Sequence, residues 1–280
     1  MGRAFARSTR SPDENGWNTL SSVPPIDSYG DSHGDSYESI IARHYDELYA
    51  VMRNPSGDIA FYGELARASG GPVLELGCGT GRTLLPIAQA GIDCVGVDAS
   101  PAMLAVFRQK SPPPNLELVE ARMESLDLPH RRFRLVTCPF RAFSHLLDVE
   151  TQLAALAAVR RHLEPGGTFA LDVFDPKLAH IARLEEPEHL AATFHDAGRE
   201  VQRWDTVRRN PSRQVMTIAF RFASAAPELC GAGEIQMRWF YRFELEHLLA
   251  RAGFRELQFF GGFDRRPWVA GGETIALGRV

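Results

Sequence analysis

The stretch Val73-Leu74-Glu75-Leu76-Gly77-Cys78-Gly79-Thr80-Gly81-Arg82 decides the fold. Val73 to Leu76 reads as a short strand, and the glycines after it put a tight turn where a ligand can approach the backbone before a helix begins. That helix, Arg82 to Gln89, leads to a second strand, Asp93 to Val97. Asp98 ends this strand, where its carboxylate can accept from both hydroxyls of one ribose. Glu75 offers a second negative group for the cationic end of a ligand. The spacing is Gly-x-Gly-x-Gly, one residue short of the Gly-x-Gly-x-x-Gly of dinucleotide enzymes, and alone it also fits a plain strand-to-helix turn.

Outward from this point the chain alternates. Helix 101–109, strand 116–120, strand 135–138, helix 149–162 and strand 168–174 predict an α/β fold with a parallel sheet and helices on both faces. Pro165-Gly166-Gly167 marks a sharp helix-to-strand turn. Beyond Asp175-Pro176 the rhythm changes to a short helix near 177–184 and strand-like runs at 199–208, 214–223 and 234–241, which suit antiparallel pairing. Helix 243–252 and strands 255–260 and 274–277 then close the main sheet. The organisation expected is a core of residues 70–176 and 243–280 with an antiparallel β insertion, 177–242, before the last helix. Upstream, helices from Glu38 and over 58–68 occupy 37–69, and the Ser-, Gly-, Asp- and Pro-rich residues 1–36 read as a flexible arm.

The glycine stretch and Gly96-Val97-Asp98-Ala99-Ser100-Pro101-Ala102-Met103-Leu104 resemble the first two motifs of the class I S-adenosylmethionine-dependent methyltransferases. Leu163-Glu164-Pro165-Gly166-Gly167-Thr168-Phe169 is similar to that family's late helix-to-strand signature. The resemblance implies a Rossmann-like seven-stranded sheet with an antiparallel last strand and S-adenosyl-L-methionine as cofactor. Its methionyl part would lie over Gly77, Gly79 and Gly81, its ribose on Asp98 beside Ala99, and its adenine near Met103. After the third strand the family usually carries an Asp, often within Gly-Asp-Met-Arg; this chain has Ala121-Arg122-Met123-Glu124, so Arg122 is a departure. The Met123 backbone, Glu120 and Glu124 are the alternatives for that contact.

Methyl transfer needs the acceptor lone pair in line with the methyl–sulfur bond, so positioning and water exclusion supply most of the acceleration, with a base added when the acceptor carries a proton. The segment Cys138 to His145 follows the fourth strand, where open α/β sheets present ligand crevices. Phe140 in it is counted with the cofactor site, and His145 is the general-base candidate, against the alternative of a backbone-bonded structural histidine. Tyr45 and Tyr49 share a helical face with Ile41 and Met52. Simple packing accounts for them, and they also resemble the Tyr-Asp-x-x-Tyr helix that lids the cofactor in small-molecule N-methyltransferases, including those acting on amino sugars. In the insertion, residues 235–242 alternate between two faces, and Arg238, Phe240 and Tyr241 are the acceptor-pocket candidates. Arg203, Trp204 and Arg208 could join that pocket, against the commoner alternative of a solvated face, and the arginines hint at an acidic or phosphorylated acceptor.

With 280 residues and a net charge of −4, the chain can bury a large core and does not favour a nucleic-acid partner. The four cysteines lack Cys-x-x-Cys spacing and read as buried thiols, no metal is implied, and no apolar run reaches membrane-spanning length. A cytoplasmic enzyme acting on N or O of a small metabolite is the leading expectation, with the choice between monomer and homodimer open. A protein methyltransferase and a non-catalytic cofactor-binding protein remain alternatives; a dehydrogenase fits the glycine spacing less well.

Overall fold

The computed structural model describes residues 37–52 and 57–280; the arm expected over 1–36 lies outside them. Two sheets form. The larger has the order β10-β11-β5-β4-β1-β2-β3, where β1 is Val73–Leu76, β2 Cys94–Asp98, β3 Leu116–Glu120, β4 Phe133–Cys138, β5 Leu163–Phe174, β10 Arg255–Phe260 and β11 Glu273–Arg279. Strands β1 to β5 pair in parallel, and β11 runs antiparallel to both β5 and β10. The direction of winding reverses at β1, between β4 and β2, and open α/β sheets put their ligand crevice at such a point.

Helices cover both faces because the strands are apolar on both. On one face α2 (Asp58–Ser69), α3 (Leu84–Gln89) and α4 (Pro101–Gln109) bury Phe61, Tyr62, Leu84 and Phe107 against Val73, Cys94 and Leu135. On the other, α5 (Val149–His162) and α7 (Arg242–Arg251) bury Leu156, Val159, Leu245 and Leu249 against Leu74, Val95, Val136 and Phe169. Local chemistry sets the helix starts: Ser100 accepts from the Met103 N–H with Pro101 at the first turn of α4, and Asp148 accepts from the Thr151 N–H at the start of α5. Cys78, Cys94 and Cys138 are buried and Cys230 is exposed; burial pushes the Cys94 thiol up to about 12. No His/Cys/Asp/Glu group suited to a metal occurs among the described residues, and none of their helices is long and apolar enough to cross a membrane.

The smaller sheet is antiparallel, in the order β6 (Glu185–Asp196), β7 (Arg199–Asn210), β8 (Val215–Ser224), β9 (Gly231–Arg238). Its first strand was not expected. The run Glu185-Glu186-Pro187-Glu188 is charged and carries a proline, as an edge strand tolerates, and two register irregularities break its alternation. The short helix before it, α6, is confined to Leu178–Ile181. The strand expected over 234–241 ends at Arg238, because Trp239 and Phe240 turn together into the core, 1% and 0% exposed. Strand β5 also starts earlier than expected, at Leu163, so Pro165-Gly166-Gly167 is an irregularity of register against β4 rather than a turn ahead of the strand.

Helix α1 (Tyr37–Met52) joins the two sheets. Its apolar side packs Ile40 and Leu48 against Phe194, Phe220 and Phe222 of the small sheet. The buried His44 bonds Asp196 at 2.8 Å and the Leu229 carbonyl at 3.1 Å. Asp46 reaches the other way, accepting from the Thr80 hydroxyl at 2.7 Å and pairing with Lys110.

Candidate active site

A cavity of about 800 Å³ opens at the reversal point, bounded by the glycine loop, the ends of β2 and β4, helix α1 and the inner face of the small sheet. This lies toward the upper end of the roughly 300–1,000 Å³ usual for small-ligand sites. Gly77 and Gly79 adopt φ of +66° and +53° on its wall. A Cβ at Gly77 would stand 2.5 Å from that of Ala142, whereas one at Gly79 would meet nothing within 4 Å. The chain therefore leaves open space above Gly79 where a ligand can lie against the backbone. Asp98 borders this space with its carboxylate already oriented: Gly79 N–H and Ser100 N–H each donate to one of its oxygens at 2.8 Å. Ala99, Met103 and Met123 line the same end, with Arg122 paired to Glu124 beside them.

The opposite wall is aromatic. Tyr45 and Tyr49 lie with ring centroids 4.6 Å apart, and Phe140 meets Tyr49 edge-on at 4.8 Å. Phe140 is held there by strained backbone: Phe140 and Arg141 both take left-handed φ, +57° and +62°. The buried Asp172 fixes them, receiving the Phe140 N–H at 2.7 Å, the Arg141 N–H at 3.2 Å and the Tyr62 hydroxyl at 2.8 Å. The Arg82 guanidinium, itself paired with Asp58, covers the Phe140 ring at 4.4 Å.

His145 ends the short 3₁₀ turn Ala142–His145 and faces the cavity. The residue is exposed, and its surface forms part of the cavity wall. Desolvation lowers its pKa, partly offset by a hydrogen bond to the Gln236 backbone and the charge of Asp98. The imidazole is thus neutral at pH 7 and able to take a proton.

The small sheet supplies the last wall through one strand parity. Met216 pairs with Met237 and Ile218 with Ile235 across β8 and β9, and all four line the cavity. Arg203 and Asp205 of β7 stand on the same face as an ion pair, Nε to Oδ1 at 2.7 Å, 3% and 7% exposed. Sequence reasoning left Arg203 between the acceptor pocket and a solvated face and passed over Asp205. The signal was the alternation Val201, Arg203, Asp205, Val207, whose apolar ends mark an inward face.

Ten of the expected residues thus share one wall system: Tyr45, Tyr49, Gly77, Gly79, Asp98, Ala99, Met103, Met123, Phe140 and His145. Five do not reach it. Gly81 is needed instead for the close approach of the Phe107 ring. Glu75 is buried beneath the loop, where it accepts from Thr137; desolvation raises its pKa to about 8, so at pH 7 it is protonated and presents no negative charge to a ligand. Arg238 sits on the opposite parity from Met237 and pairs with Glu244 at 2.6 Å. Phe240 is core, packed on Phe143, and Tyr241 caps α7 at the surface.

Comparison with known proteins falls on this geometry. A family model described as a methyltransferase domain matches residues 73–167, and an uncharacterized methyltransferase of Synechocystis is 36% identical over 161 residues, covering 51% of this chain and 74% of the relative. The chain belongs to the class I S-adenosylmethionine-dependent methyltransferases. This methyltransferase is 27% identical over 234 residues to the cypemycin N-terminal methyltransferase of a Streptomyces species, covering 84% of the chain and 93% of the relative. It is also similar to an amino pentose methyltransferase of Micromonospora echinaspora solved with S-adenosylmethionine bound, at 26% identity, TM-score 0.64, covering 89% of this chain and 99% of that one. The methyltransferase is an enzyme, and S-adenosylmethionine is its cofactor.

Proposed function

We propose that this methyltransferase methylates the nitrogen of a small-molecule amine within the cavity between its two sheets. The observation that carries the reading is one continuous cavity whose wall holds the glycine loop and Asp98 at one end and a neutral His145 with the apolar face of β8 and β9 at the other. The relatives favour nitrogen over oxygen: one acts on a peptide N-terminus, the other on an amino pentose.

The residues fit the cofactor. Open space above Gly79 admits it against the backbone, and Asp98, oriented by the Gly79 and Ser100 N–H groups, borders that space as the acceptor for ribose hydroxyls. Ala99, Met103 and Met123 offer apolar contact for the adenine, with Arg122 outside that role because it is spent on Glu124. S-adenosylmethionine supplies an electrophilic methyl group on a sulfonium. Tyr45, Tyr49 and Phe140 present π faces and edges that attract a cation and keep water out. Helix α1 acts as the lid that carries the two tyrosines. His145 accepts the proton that the nitrogen loses as it becomes methylated.

Two measurements test the reading. Calorimetric titration is expected to show binding of S-adenosylmethionine and S-adenosylhomocysteine and none of NAD. Release of S-adenosylhomocysteine is then followed with amino sugars, short peptides with free N-termini, and their hydroxyl counterparts. Turnover with the hydroxyl set but not the amines would overturn the nitrogen assignment.

A further inference from the structure

Asp205 is more than nine-tenths buried and lines the cavity. One of its oxygens receives the Arg203 Nε–H at 2.7 Å; the other has no hydrogen-bond partner among the described residues. An acceptor oxygen on a cavity wall that no protein donor takes is one that a ligand's donor can reach. Arg203 gives Nε to Asp205 and lies over the Phe220 ring at 4.9 Å. Asp205 lines the cavity, so its second oxygen is where a hydrogen-bond donor of the acceptor can be met. Met216, Ile218, Ile235 and Met237 make the rest of this cavity face apolar.

We propose that Asp205, held in place by Arg203, selects the acceptor by taking a hydrogen bond from a hydroxyl or ammonium group that the acceptor carries besides the nitrogen being methylated. This rests on the small-amine reading above and narrows it to amines with a second donor on a partly apolar frame. Tyr49 and Asp205 line the same cavity, so the two acceptor groups are recognised within one space.

The test uses the full chain saturated with S-adenosylhomocysteine, titrated by ligand-detected NMR with cyclohexylamine, trans-2-aminocyclohexanol and trans-1,2-diaminocyclohexane. The two bifunctional probes are expected to bind about tenfold tighter than cyclohexylamine, as a hydrogen bond to a charged group implies. Removing one member of a buried ion pair destabilises, whereas replacing both by apolar groups is often neutral, so the main variant is Arg203→Met with Asp205→Leu. In it the tenfold preference is expected to vanish while S-adenosylhomocysteine affinity stays within about twofold. Asp205→Asn, which keeps the shape, is expected to cancel the advantage of the diamine and leave part of that of the amino alcohol, separating ammonium from hydroxyl. Equal binding of all three probes to the unaltered enzyme, or an undiminished preference in the double variant, overturns the role of Asp205 and leaves the small-amine reading standing. Binding of none of them overturns both.

Discussion

On the seven-stranded side the cavity wall is largely backbone: two glycines with positive φ, and N–H groups that orient one carboxylate. On the four-stranded side it is side chain alone, taken from alternate positions of three paired strands. A backbone wall recognises the part of a reaction that stays constant, the cofactor, because its geometry is set by a short local motif. A side-chain wall can be rewritten residue by residue without disturbing the sheet that carries it. The first kind of wall is recognisable from spacing, and the second only from register.

That contrast can be broken at either wall. The largest effect is expected at their junction: His145→Gln should lower kcat by about 10²- to 10⁴-fold, the usual yield of general acid–base catalysis, with S-adenosylhomocysteine affinity nearly unchanged by calorimetry. Its pKa is depressed, so an acid limb of kcat/KM due to this residue should lie below pH 6.5 and disappear in the variant. Parallel loss of affinity and rate would assign His145 to the cofactor wall instead. Next, Asp98→Ala removes the oriented carboxylate and should weaken S-adenosylhomocysteine binding roughly 10- to 100-fold, while probe binding to the small sheet is retained in enzyme saturated with ligand.

The smallest effect concerns stability rather than turnover. Glu75 is protonated in the folded enzyme up to about pH 8 but ionises near 4.5 when unfolded. Its contribution is therefore complete below pH 4.5 and is lost as pH rises toward 8, because the folded state then binds the extra proton. Glu75→Gln does not titrate, so its advantage over the natural residue should grow across that window to about 2–4 kcal/mol in urea unfolding. A gap constant with pH would show that Glu75 is ionised beneath the loop after all.

The two walls also differ in how far the sequence disclosed them. The seven-stranded sheet, its glycine loop and Asp98 follow from motifs in which residue type and spacing carry the geometry. The motif could not distinguish glycines facing a ligand from Gly81 facing Phe107, nor a surface acid from the buried Glu75, since both distinctions depend on which helix packs behind the loop. In the small sheet a period-2 pattern was visible, but where it ended was not. Trp239 and Phe240 continue the apolar pattern while the chain has already left the strand, and this moved the acceptor candidates to Arg238, Phe240 and Tyr241 instead of Ile235 and Met237. Arg203 and Asp205 were hidden for a related reason: a paired, buried charge looks in sequence like a solvated one.

His44 and Asp46 sit two positions apart on α1, roughly 200° around the helix, and so reach in opposite directions, one to Asp196 of the small sheet and the other to Thr80 of the glycine loop. A single helix about 10–12 Å thick thereby bridges the two walls, beside the direct ties of Gln214 and Arg238 to Glu244 of α7. In the proposed reading, the bonds at the two sides of α1 help to fix the gap in which methyl donor and acceptor meet. Acceptors of different size would then be accommodated by trimming or filling the face of β8 and β9, while the distance across which the methyl group travels stays constant.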